Sequence, residues 1–66
     1  VYLASGTNIT LNTALTAELD VTTVDTASGT LVATCASSEI ATSSSGLLNV
    51  NGGVRLSVNG TEISIR

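Results

Sequence analysis

Residues 54–66 read VRLSVNGTEISIR, and the fold follows from how this stretch pairs with itself. Asn59-Gly60 is a two-residue turn signal. A type I′ turn needs φ > 0 at both central residues, which Asn tolerates and Gly adopts freely. With these two at the turn, Val58 faces Thr61, Ser57 faces Glu62, Leu56 faces Ile63, Arg55 faces Ser64 and Val54 faces Ile65. Side chains alternate along a strand and paired residues share a face. Val54, Leu56, Val58, Thr61, Ile63 and Ile65 therefore form an apolar side, with Arg55, Ser57, Glu62 and Ser64 opposite. A one-residue slip would carry the apolar set into water, so the pattern itself fixes the faces. The spacing predicts a C-terminal hairpin over 54–66 with one face that needs cover. It also predicts a diagonal Arg55–Glu62 ion pair, exposed and of little energetic weight.

Upstream, Thr, Val and Ile recur and Pro is absent, a composition that favours strands. Val1 to Leu3 reads as a short strand ended by Ser5-Gly6. Thr7 to Asn12 alternates, with Ile9 and Leu11 on one face. Thr13 to Asp20 reads as strand or irregular chain, since its Thr-rich flanks disfavour a short isolated helix. Leu19 to Val24 reads as strand and Asp25 to Gly29 as turn. Thr30 to Ser37 is the expected central strand, with Leu31, Ala33 and Cys35 on one face and Val32, Thr34 and Ala36 on the other. Glu39 to Thr42 is read as a short strand, Ser43 to Gly46 as a loop, Leu47 to Asn51 as a strand, and Asn51-Gly52-Gly53 as a turn. Leu11-Asn12 with Leu19 and Val21 echoes Leu48-Asn49 with Leu56 and Val58, and the echo goes no further. The expected fold is a single all-β domain over 1–66: a small sandwich, barrel or β-prism of six or seven short antiparallel strands.

The chain has 66 residues and one Cys. A domain of this size buries about 60% of the surface its unfolded chain exposes, and such a core rarely supplies more than about 3–5 kcal/mol unaided. With one Cys and no His, an internal disulfide and a single-chain zinc site are both ruled out. Trp and Phe are missing and Tyr2 is the single aromatic, so bulky aromatic burial is missing too. Oligomerisation or docking on a larger assembly is the expected remedy. Val54, Leu56, Val58, Ile63 and Ile65 of the hairpin are the candidate interface residues. Tyr2, a ring with a polar tip, joins them, and so does Cys35, which reads first as a small buried hydrophobe and in the sharper alternative as an intermolecular disulfide.

The net charge of −3, with two Arg and no Lys, leaves no basic surface for phosphates, so nucleic acid is not an expected partner. The charge-free run from Val1 to Ala17 is too polar to span a bilayer, and no membrane partner is expected. Hydroxyls abound, but a nucleophilic Ser or Thr needs an adjacent base, and neither His nor Lys is present. General acid–base work would fall to Glu18, Asp20, Asp25, Glu39 and Glu62. Glu18, Asp20 and Asp25 lack the spacing of a calcium loop. No catalytic residue, metal or cofactor is expected. Asn8-Ile9-Thr10 and Asn59-Gly60-Thr61 fit the glycosylation sequon, and the second is already explained by its turn.

GVRLSVNGTEISIR, together with the compact SGTNITLNT near the start, resembles small structural proteins of tailed bacteriophages. These are capsid decoration, or cement, proteins and the β-rich modules of head or tail fibres. The resemblance implies a non-enzymatic virion protein on the capsid surface, a homotrimer that stabilises the shell against the major capsid or another virion protein. The alternative it leaves open is a β-rich module of a phage fibre, adhesin or surface filament at the cell surface.

Overall fold

The computed structural model describes residues 1–66. Seven strands and one helix follow one another as β1 (Tyr2–Leu3), β2 (Ile9–Leu11), β3 (Leu19–Thr23), β4 (Leu31–Cys35), α1 (Ser38–Ser45), β5 (Leu48–Val50), β6 (Leu56–Asn59) and β7 (Glu62–Ile65). They form a three-stranded sheet A, in the order β1-β3-β5, and a four-stranded sheet B, in the order β2-β4-β7-β6. The domain is β-rich with two sheets, and it differs from the expected fold in two ways: it contains a helix, and no barrel closes. The strands are also not uniformly antiparallel. β1 with β3, β2 with β4, and β3 with β5 are parallel, and only β4 with β7 and β6 with β7 are antiparallel.

The parallel pairs follow from the path of the chain. It passes from sheet A to sheet B three times in the same sense, as β1 to β2, β3 to β4, and β5 to β6. Parallel neighbours need a long crossover, and here each crossover runs through the other sheet. The result is a coil of three rungs. A glycine at positive φ marks each of the three turns that carry the chain from sheet A to sheet B: Gly6 at 79°, Gly29 at 88°, and Gly52 at 79°. β7 then folds back between β4 and β6 and is the one strand that breaks the coil.

The apolar alternation predicted for the short strands points inward. Leu3, Val21, Leu48 and Val50 of sheet A face Leu11, Val32, Ala33, Cys35, Ile63 and Ile65 of sheet B across one core. In β4 the expected faces change at a bulge: Leu31 pairs with Ser64 while Ala33 pairs with Ile63. The extra residue places Val32 and Ala33 together in the core and leaves Leu31 half-buried.

The segment 38–45, expected as strand and loop, is α1. Ser37 caps it, its Oγ accepting from the Ile40 N–H at 3.2 Å. Glu39 in the first turn complements the helix dipole. Thr42 and Ser43 donate back to the Ser38 and Glu39 carbonyls at 3.0 and 2.7 Å. That habit makes hydroxyl residues poor helix formers, so packing must hold the helix. Ala41 and Ser44 are fully buried, and the Ser44 Oγ accepts the Leu15 N–H at 3.0 Å.

Candidate functional site

The hairpin forms at the expected place with a different register. Asn59 pairs with Glu62, Val58 with Ile63, Ser57 with Ser64 and Leu56 with Ile65. The turn residues are therefore Gly60-Thr61. Gly60 has φ 61° and Asn59 is not among the positive-φ residues. A glycine at the first central position is the type II′ arrangement, which needs positive φ only once. Thr61 is held in this register because its carbonyl accepts the Cys35 N–H at 2.8 Å. The pairing differs from the expected one by an even step, so the apolar and polar faces keep their membership. The ion pair does not survive the change: Glu62 stands across from Asn59, and Arg55 lies beside Arg66, whose N–H donates to the Arg55 carbonyl at 3.0 Å.

The apolar face of the hairpin is covered within the chain itself. Ile63 is 0% exposed and Ile65 4%. Val54 and Leu56 are half-buried against the same core, and α1 packs across β4, β7 and β6. Of the candidate interface residues on the hairpin, Val58 alone is exposed, at 40%. Cys35 is a free, buried thiol facing the core; burial pushes its pKa up. An intermolecular disulfide through Cys35 would require the strand to open. Tyr2 is exposed at 65%, on the outer side of sheet A beside Thr22, and Val24, the residue after β3, is exposed as well.

The outward surface is a set of polar cross-links between rungs. Asp25 accepts from the Ser5 hydroxyl at 3.0 Å and from the Gly6 N–H at 2.9 Å, tying the first turn to the second. Thr34 donates to the Asn8 carboxamide oxygen at 2.8 Å on sheet B. Asn49 donates to Asp20 at 2.9 Å on sheet A. At the end of sheet A, Asn51 turns the chain away with φ 48° and lets its side chain continue the ladder. Its Oδ1 accepts the Thr23 N–H at 2.9 Å and its Nδ2 donates to the Thr23 carbonyl at 3.0 Å. These contacts were not among the sequence expectations. The Asn at the start of an Asn-Gly-Gly turn was the available signal, since such a residue readily takes αL and bonds to backbone.

A shallow, open surface depression lies on the outer side of α1, lined by Ser38, Glu39, Thr42 and Ser43. The Thr42 and Ser43 hydroxyls are already donated to helix carbonyls. No group of three or more His, Cys, Asp or Glu is placed to hold a metal, and no helix is long and apolar enough to cross a membrane. Comparison with known protein families, with curated proteins and with solved structures found no match.

Proposed function

We propose that the chain is a non-enzymatic structural module of a virion fibre, an adhesin or a surface filament. The observation that carries this reading is the three-rung coil. Strand, turn and strand repeat in one sense, and neighbouring rungs are tied on the outside by hydrogen bonds from hydroxyl and amide donors to amide and carboxylate oxygens. A coil of this kind transmits position along its axis and needs no pocket. The hydroxyl-rich, low-charge surface suits a protein working outside the cell.

Capsid decoration by a homotrimer is the second reading, on the virion surface and against the major capsid protein. The exposed Tyr2 on the outer side of sheet A favours it, as a small apolar contact for a partner, and Val24 just past β3 is a second exposed apolar side chain. The hairpin face contributes little to such a contact, because Ile63 and Ile65 are spent on the chain's own core. Native mass spectrometry at micromolar concentration, paired with circular dichroism, separates the two. A folded monomer supports the module. A folded, closed trimer overturns it in favour of decoration, and Tyr2→Ala should then dissociate the trimer without unfolding the protomer.

A further inference from the structure

The two Asn-Gly pairs of the chain, Asn51-Gly52 and Asn59-Gly60, share a chemistry that the fold treats unequally. In such a pair the backbone nitrogen of the glycine can attack the Asn Cγ. The new N–Cγ bond closes a succinimide, the Cγ–Nδ2 bond breaks, and ammonia leaves with the proton from the glycine nitrogen. Water then opens the ring at either carbonyl, giving Asp or isoaspartate. No oxidant or cofactor enters, and water is the only co-reactant. Glycine speeds the attack because no Cβ shields its nitrogen. Asn8, Asn12 and Asn49 precede Ile9, Thr13 and Val50, whose branched side chains crowd it.

We infer that Asn59 is a site of spontaneous deamidation and that the fold protects Asn51. The Asn51 carboxamide is clamped at both ends, Oδ1 on the Thr23 N–H and Nδ2 on the Thr23 carbonyl. Its backbone N–H also donates to the Val21 carbonyl at 2.8 Å. To present Cγ to the Gly52 nitrogen, the side chain must leave the ladder and forfeit both bonds. Asn59 has no such restraint. It is exposed at the last position of β6, its side chain holds no hydrogen bond within the chain, and the Gly60 N–H is not committed to any backbone carbonyl. Reaction at Asn59 also has a structural consequence. It places a carboxylate directly across from Glu62, and an isoaspartate adds a backbone methylene that shifts the alternation of everything before the turn.

The sequence supplies the assay. Arg55 and Arg66 are the only basic side chains, so cleavage after arginine gives residues 1–55, carrying Asn51, and residues 56–66, carrying Asn59 alone. The whole chain is incubated at mildly alkaline pH, digested, and followed by mass for the exchange of an amide for an acid. The expected result is deamidation of the 56–66 peptide at least about tenfold faster than at Asn51 in the folded protein, a factor worth about 1.4 kcal/mol. In concentrated denaturant the two rates should converge, because both pairs then share the same local chemistry. Equal rates in the folded protein, or faster reaction at Asn51, overturn the inference. So does a tenfold gap that persists in denaturant, because the fold would then not be its source.

Discussion

Sheets A and B face each other across one core, yet they are assembled from different kinds of contact. Every pairing in sheet A joins residues far apart in the chain, as Tyr2 with Thr22 and Leu19 with Leu48. Sheet B contains the one pairing that is local, Asn59 with Glu62 across the hairpin. Past the end of β5, sheet A carries its ladder on through a side chain, the Asn51 amide on the Thr23 backbone, and sheet B is completed by a whole strand, β7, inserted between β4 and β6. Sheet A is thus the part that depends on the coil being complete, and sheet B is the part with its own seed. Closing a long loop costs more entropy than closing a short one, though only slowly more. The difference between the sheets should therefore appear mainly in packing and capping.

Five measurements would break or sharpen this contrast, and chemical denaturation of purified variants reads the first four. Ile63→Ala, at the fully buried centre of sheet B, should cost about 2–5 kcal/mol. That rivals the whole stability expected of so small a core, so this variant should be largely unfolded at room temperature. Val50→Ala, the fully buried counterpart in sheet A, should cost about 2 kcal/mol from two lost methyl groups and their cavity. If Val50→Ala proves the more damaging, sheet A and not sheet B holds the tighter packing. Asn51→Gly keeps the positive φ but removes the strand-like amide, and should cost about 1–2 kcal/mol by leaving the Thr23 backbone unpaired. No loss would mean water replaces the amide fully.

Ser37→Ala should cost about 1 kcal/mol through the lost cap of α1. The smallest effect is a pH dependence from Cys35. Burial raises its folded pKa, so the native chain keeps the thiol proton after the unfolded chain has lost it. Stability is then level at neutral pH and falls as pH rises past the range where an exposed thiol ionises, about 8.5. Cys35→Ala should flatten that decline, and an unchanged slope would assign it elsewhere.

Most of the strand positions can be read from alternation, because alternation reports which side is buried and is indifferent to the partner. Ile9 with Leu11 and Leu48 with Val50 fall on the sides the pattern predicts. The pattern does not report direction, so the parallel coil is invisible in it: an inward-facing Val looks the same beside a parallel or an antiparallel neighbour. Nor does it resolve even shifts of register, which preserve the faces; at the hairpin, β4 decides by binding Thr61. α1 escapes for a different reason. Its residues, SEIATSSS, have weak helical preference and little apolar periodicity, and what makes them helical is the Ser37 cap and the burial of Ala41 and Ser44 against distant strands. The hairpin's cover was likewise out of reach, since nothing local says that a helix lies across it. The inward position of Cys35, by contrast, agrees with its apolar neighbours.

The insertion of β7 sets an order of events. The last strand of the chain lies inside sheet B, between β4 and β6, and β6 touches β4 only through it. On a chain emerging from its N-terminus, the first two rungs can pair and α1 can form, while β6 has no strand to pair with. Sheet B is joined only when residues 62–65 arrive, by a pairing such as Leu31 with Ser64 that spans half the sequence. Such non-local closure is slow compared with hairpin formation. The hairpin should therefore dock as a finished unit, and until it does, Val32, Ala33 and Cys35 stay open to solvent or to a neighbouring chain.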